Sequence, residues 1–360
     1  MERLKNLFSG LKWWKWAVLL IMPYVILMGF LVPLGQGITS ITPGSTATGA
    51  NINFRISAYN SQFSPDKSNT AWLKYHDLHL PAKLVKVLSP QEAEVIFDIP
   101  VLPDKSVKFA DLSLIINTPE GPAVLPSAVS LRNIALDSTT IINEVWSDNK
   151  LNINKEANFN YPFRNLMAET IRNIYFHVPL WFAMTFVFMF SVFYSIRYLR
   201  KKDINDDQKA LSLIAAGMLF GILGCITGAM WAKYTWGQYW SFDVKQNMAA
   251  ISLLIYSGYF LLRKSLSDPD AKSRIGNIYS IFAFCMLIPL IFIIPRRYDS
   301  LHPGNGGNPA LGADDLDNTM RTVFYPAVIA YICLGFWLAE LNYRIIKIKN
   351  KIESHETYSK

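Results

Sequence analysis

The residues best equipped for chemistry in this chain are two histidines, His177 and His302, with a loop crowded with aromatic rings between them in sequence. Only five histidines occur among 360 residues. His177 stands in RNIYFHVPLWF, where a long apolar run begins, and His302 in RRYDSLHPGNGG, just beyond the end of another. The loop Trp231–Asp243, WAKYTWGQYWSFD, holds three Trp and two Tyr with one Gly (Gly237) and one acid (Asp243). Indole and phenol rings are amphipathic, so such a loop serves either as an interfacial belt or as a platform on which a flat conjugated ligand stacks. Two imidazoles flanking a ring-lined platform suit a pair of axial ligands, and neutral imidazole is a common ligand of haem iron. Haem carries two propionates, and Arg172, Lys233, Arg296 and Arg297 fall in the same layer to pair with them or with lipid headgroups. The other histidines offer less: His76 and His79 point to opposite faces of a strand, a poor arrangement for sharing a metal, and His355 lies in a polar tail.

The elements that must hold these residues follow from hydropathy. Apolar runs of about 20 residues, the length that crosses a bilayer core, alternate with short charged connectors. The expected fold is an all-α polytopic membrane protein of six transmembrane helices, with an inserted, Ig-like β-sandwich between the first and second. The spans are expected at about 17–34, 177–198, 211–231, 246–262, 278–295 and 320–341. An N-terminal segment with the first span (1–34), the inserted domain (35–160), a five-helix membrane domain (161–345) and a tail (346–360) make up the expected organisation. The inserted domain is read from short runs of strand composition, such as NINFRISAY, KLVKVL, AEVIFDIPV and TTIINEVW, broken by turn residues. ITSITPGSTATGA ahead of them reads as a linker, and Tyr161–Phe176 as a helix along the membrane surface. Gly217, Gly221, Gly224 and Gly228 form small-xxx-small patterns that suit close helix packing, Gly228 alternatively giving a ligand access to the backbone.

Charge sets the expected orientation. Arg197, Arg200, Lys201, Lys202 and Lys209, then Arg263, Lys264, Lys272 and Arg274, then Arg344, Lys347, Lys349 and Lys351 are basic clusters. The opposite loops carry Asp243, Asp299, Asp314, Asp315 and Asp317. Both termini are therefore expected in the cytoplasm, with the β-domain and the Trp-rich loop outside. This placement accounts for the formal charge of +8 without any nucleic-acid partner. Cys225, Cys285 and Cys333 lie inside apolar runs, so no disulfide framework is expected. No CxxC, no CxxCH and no phosphate-binding Gly-rich loop occurs, which argues against a thiol oxidoreductase, a c-type cytochrome or an ATPase subunit.

RNIYFHVP, WAKYTWGQYWSFD and SLHPG, in that order and on that side of the membrane, resemble the CcmC haem exporter family of cytochrome c biogenesis. The resemblance runs from about Arg164 onwards. It implies an inner-membrane protein, not an enzyme, that holds non-covalent haem b between His177 and His302. Trp231, Trp236, Gly237, Trp240 and Asp243 would form the platform, with Phe242 where the family usually has Trp. The implied partners are a CcmE-like haem chaperone, CcmA/CcmB-like ABC transporter subunits and a small CcmD-like protein. Arg172, Lys233 and Arg297 complete the expected haem-binding set. VKQN after the acid departs from the family's more basic run, and compact family members lack the inserted domain. A haem lyase of the CcsA/CcmF type carries the same loop and is the alternative; a permease subunit without haem is the third reading.

Overall fold

The computed structural model describes residues 12–65, 68–104, 106–134, 145–154, 159–165, 167–302, 311–312 and 316–358, with side chains to 353. Most of the strand expected at 139–146, the acids Asp314 and Asp315, and the His355 side chain lie outside the described residues. The chain divides into two compact units, Val32–Glu169 and a second made of Met1–Leu31 with Thr170–Lys360.

The first unit is two packed sheets. One runs β1 (Gly37–Thr42), β3 (Asn51–Tyr59), β7 (Glu92–Asp98), β6 (Leu84–Ser89); the other runs β2 (Ser45–Ala47), β9 (Gly121–Arg132), β8 (Phe109–Thr118), β4 (Thr70–Tyr75), β5 (Leu78–Pro81). Pairing is antiparallel except for β2 on β9. Alternation decides what is buried: in β7, Ala93, Val95 and Phe97 turn inward while their neighbours stay wetter. They join Phe54 and Ile56 from the same sheet and Leu73, Leu114 and Val129 from the other in one apolar core. The stretch expected as a linker contains β1 and β2, because Ile and Thr there favour extended backbone despite the flanking Gly and Pro. His76 sits in the turn between β4 and β5, and His79 in β5 bridges to Ser147.

The second unit is helical: α1 (Trp13–Leu31), α2 (Ile174–Lys201), α3 (Ile204–Trp236), α4 (Val244–Ser265), α5 (Pro269–Ile288) and α6 (Asn318–Tyr358). Among the described residues five helical segments, not the expected six, are long and apolar enough to cross a membrane: Trp13–Leu31, Ala168–Lys201, Ile204–Trp236, Pro269–Arg296 and Asn318–Glu353. The difference is α4. It is a helix of 22 residues, but Lys245, Gln246, Asn247, Ser252, Ser257, Arg263 and Lys264 dilute its apolar content. It still runs the length of the bundle. At its start Asp243 meets His302, and at its end Arg263 forms a two-pronged ion pair with Asp207 at 2.6 and 2.8 Å. Asn277 and Ser273 of α5 complete that buried cluster. The surface helix expected over 161–176 is shorter, a 3-10 turn at Ala168–Asn173 leading into α2.

The glycines of α3 determine how α2 lies against it. A Cβ at Gly217 would fall 2.3 Å from the ring of Phe188, at Gly221 2.3 Å from Leu253 of α4 and 3.0 Å from Met184, at Gly224 2.9 Å from Trp181 and at Gly228 2.7 Å from His177. Two antiparallel helices thus mesh, with side chains at 188, 181 and 177 dropping into notches at 217, 224 and 228, while Leu253 of α4 and Met184 of α2 share the notch at 221. Such close approach is what small residues permit between membrane helices. The last notch holds the histidine.

Candidate functional site

Both histidines line one cleft at the end of the bundle away from Asp207 and Arg263. Its other walls come from Trp181 on α2, Gly224, Cys225 and Gly228 on α3, Trp240, Lys245, Gln246 and Ala249 around the start of α4, and Ile291 and Pro295 beyond α5. The cleft is open to one side, and the free space counted out past its mouth is about 710 Å³. Ile291 lies in a π-helical turn, Pro289–Ile293, and Pro295 in the 3-10 turn that ends at Arg296. The irregular turns mark where the chain leaves the bundle towards His302.

Each imidazole is tied back by Nδ1. His177 Nδ1 lies 3.0 Å from Thr227 Oγ1, and that hydroxyl donates to the Leu223 carbonyl at 2.9 Å. With its proton on that carbonyl, the hydroxyl accepts from His177, an arrangement in which Nδ1 carries the hydrogen and Nε2 keeps a lone pair. His302 Nδ1 lies 2.8 Å from Asp243 Oδ1, an acceptor-only carboxylate, and the same tautomer follows. In both rings the nitrogen left for a ligand is therefore Nε2. Burial holds His302 below its ordinary pKa, Asp243 opposes that shift and Lys245 adds to it. The ring is thus neutral at neutral pH, the form that can bind a metal.

Asp243 organises this end of the molecule. It caps α4 by accepting from the Lys245 N–H at 2.9 Å. It also accepts from the Leu301 N–H at 2.8 Å and from Ser300 Oγ at 3.0 Å, besides facing His302. Burial pushes its carboxyl up, but the bonds from Leu301, Ser300 and Lys245 outweigh it and keep the group ionised. The resemblance places Asp243 in the platform; the structure makes it the clamp that draws 300–302 onto the start of α4.

The loop rings divide their work. Trp231 packs edge-on against His177 with centroids 5.9 Å apart, its Nε1 donating to Thr170 Oγ1, and Trp236 packs edge-on against His302 at 4.7 Å. Of the loop's three Trp, only Trp240 lines the cleft, held by its Nε1 on Asn247 Oδ1 at 3.3 Å. Gly237 ends α3 in the left-handed conformation (φ 80°), which glycine adopts without strain. Phe242 has φ 54° and is 78% exposed, its carbonyl held by Asn247.

Of the expected cations, Arg172 donates to the Gly29 carbonyl and Lys233 to the Gly237 carbonyl, while Arg296 and Arg297 are exposed; none lines the cleft. Lys245 does. It comes from VKQN, the stretch that departs from the family's pattern, and its signal was the N-cap: with Asp243 as cap, residues 245, 246 and 249 fall on one side of the first turns of α4. Trp181 was also missed, although it stands four residues after His177 and so on the same helix face. Gly228 admits the His177 ring itself, which settles what that glycine makes room for.

A family model described as heme exporter protein C matches residues 157–360, more than half of the chain. Among curated relatives, heme exporter protein C of Rhodobacter capsulatus is 24% identical over 178 residues, covering 48% of this chain and 69% of that protein. The protein of the same name in Paracoccus denitrificans is 24% identical over 190 residues, covering 51% and 73%. Cytochrome c biogenesis protein CcsA of Pelargonium hortorum is 36% identical over 86 residues, covering 24% of this chain and 27% of that protein.

Proposed function

The chain belongs to the heme exporter protein C family, and from that premise we propose that it holds haem in the cleft between His177 and His302 and passes it on for cytochrome c maturation. The observation that carries this reading is the pair of imidazoles on one cleft, each with Nδ1 tied back and Nε2 left over. Metal-bound histidines usually donate their other N–H to a protein acceptor in this way, which fixes tautomer and ring orientation. A metal whose equatorial ligands come with a macrocycle needs two nitrogens only from the protein, the number this pair supplies. The haem is of b type, bound without covalent attachment. Trp181 and Trp240 offer faces to the porphyrin, and Trp231 and Trp236 brace the two ligands. Lys245 takes a propionate from within the cleft, with Arg297 available at the same end; Arg172 and Lys233 hold backbone carbonyls. Exposed Phe242 offers a surface for the acceptor.

The reading includes sidedness. Arg197, Lys209, Arg263 and Arg344 gather at the Asp207 end, which the positive-inside rule assigns to the cytoplasm with both termini, leaving the cleft and the β-unit outside the inner membrane. That unit has the strand order of an immunoglobulin-type sandwich, four strands on one sheet and five on the other. A CcmE-like chaperone is the acceptor, and CcmA/CcmB-like ABC subunits and a CcmD-like protein supply the work that a chain without a phosphate loop cannot. The similarity to CcsA favours a second reading, in which the same cleft presents haem to apocytochrome thiols. Co-expression with a CxxCH reporter separates them: covalent haem formed only when a chaperone is present supports export, and covalent haem formed without one supports the lyase.

Gly228→Val offers a check on His177. The added side chain begins 2.7 Å from the ring's Cε1 and must displace it, at a cost typical of overpacking, about 1–3 kcal/mol. Haem titration of the purified variant should show affinity at least tenfold below wild type while its helical circular dichroism is kept. Unchanged affinity would mean that the position of His177 does not matter.

A further inference from the structure

At the end of the bundle opposite the two histidines, α2, α3, α6 and Lys12 just ahead of α1 leave a groove with about 1070 Å³ of free space out to its mouth. Its walls are aromatic, with Phe190 and Tyr194 from α2 and Phe336 and Tyr343 from α6, and Lys12, Lys209 and Arg344 stand along it. The nearby acids are already answered. Glu340 is held by Lys15 at 2.9 Å and by Arg344, and buried Asp206 faces Arg197 at 3.1 Å and Lys209 at 3.9 Å. With Asp203, which Lys209 and Arg197 also attract, five cations surround three carboxylates, and the excess is positive.

The cations are fixed in place. The Lys209 ammonium lies over the rings of Tyr194 and Tyr343, and Lys15 is packed between Trp14 and Trp337. The groove also sits at the right depth. Lys12 immediately precedes α1, Lys209 lies in the second turn of α3, and Arg344 follows the apolar part of α6, so hydrocarbon gives way to headgroups here. Phe190, 41% exposed, continues the wall towards the apolar part of the bundle.

We propose that this groove seats one anionic phospholipid, its phosphodiester against Lys12, Lys209 and Arg344 and an acyl chain along Phe190 and Phe336. Basic pockets between membrane helices favour such headgroups, and a zwitterionic lipid would bring its own ammonium into a cluster of cations. No His, Cys or Met lines the groove among the described residues, so it lacks the usual axial ligands for a second haem. The inference does not rest on the haem reading.

The test is native mass spectrometry of the full-length protein after detergent exchange, with added phosphatidylglycerol, cardiolipin or phosphatidylcholine. Wild type should keep one anionic lipid, and Lys209→Gln/Arg344→Gln should bind it about 30-fold more weakly, roughly fivefold for each cation lost near the surface. Because Arg344 also holds Glu340, Lys12→Gln is the second variant: it leaves the Lys15–Glu340–Arg344 pairing in place and should weaken binding about fivefold. Equal anionic-lipid binding by wild type and both variants, or phosphatidylcholine kept as firmly as phosphatidylglycerol, overturns the proposal. Haem content at the other end should be the same in all three proteins, so failure here leaves the haem reading where it stood.

Discussion

Protein purified with both His177→Ala and His302→Ala should be nearly colourless, whereas wild type prepared alongside it should carry haem with a clear Soret band. The expected loss is large because the two substitutions remove both imidazoles that line the cleft and leave only ring faces and Lys245 to hold the macrocycle. Stacking on an aromatic side chain contributes about 0.5–1.5 kcal/mol beyond burial, too little to replace two metal–nitrogen bonds. The fold should survive. His302 lies beyond the last turn of the segment Pro269–Arg296, and His177 fills a notch that Ala leaves slightly underpacked rather than overfilled. Retention of most of the haem by a well-folded double variant would remove the ligand pair from the account.

Asp243→Asn should be the most damaging change that touches no proposed ligand. The carboxylate serves three donors, Lys245 N–H, Leu301 N–H and Ser300 Oγ, and faces His302 Nδ1 besides. An amide offers one oxygen where two stood, and its NH2 confronts groups that are themselves donors. If that NH2 donates to His302 Nδ1, the imidazole must carry its hydrogen on Nε2, the nitrogen the iron needs. Replacing partners that orient a metal-bound histidine typically costs 10–100-fold in affinity, and haem titration should show a loss in that range. Asp243 is a positioning residue, so the spectrum discriminates more sharply than affinity: the bound haem should shift towards the five-coordinate high-spin form, with His177 as sole axial ligand. An unchanged low-spin spectrum would mean that the clamp does not set the ring.

The parts of this molecule legible in sequence are those governed by one-dimensional patterns. Apolar length marked five of the helical segments, and the alternation in NINFRISAY and AEVIFDIPV marked β3 and β7. The spacing of Gly217, Gly221, Gly224 and Gly228 announces a close helix contact, but only coordinates show which side chain enters each notch, because the neighbouring helices α2 and α4 supply them. α4, expected as a sixth apolar span, runs the length of the bundle but falls short in apolar content for a related reason. Polar residues such as Gln246 and Ser252 are buried against protein, so they lower hydropathy without being exposed. β1 and β2 were missed because Ser, Thr and Gly read as turn formers until a neighbouring strand satisfies their backbone. At the site, residue types showed which groups could bind haem but not how they are divided. Three Trp in one loop looked equivalent; in space two brace histidines and one lines the cleft. Asp243 and Lys245 were hardest to place, since the first reaches across 57–59 residues of chain to Ser300–His302 and the second depends on the helix that Asp243 starts.

The central claim is that one iron sits between Nε2 of His177 and Nε2 of His302, and its most direct measurement is resonance Raman spectroscopy of haem-loaded protein in three forms: wild type, His177→Ala and His302→Ala. The account predicts six-coordinate low-spin haem in wild type and five-coordinate high-spin haem in each single variant, with the six-coordinate form restored in both by added imidazole. Six-coordinate low-spin haem persisting in either single variant without imidazole would contradict it, since the iron would then be held by a residue other than this pair.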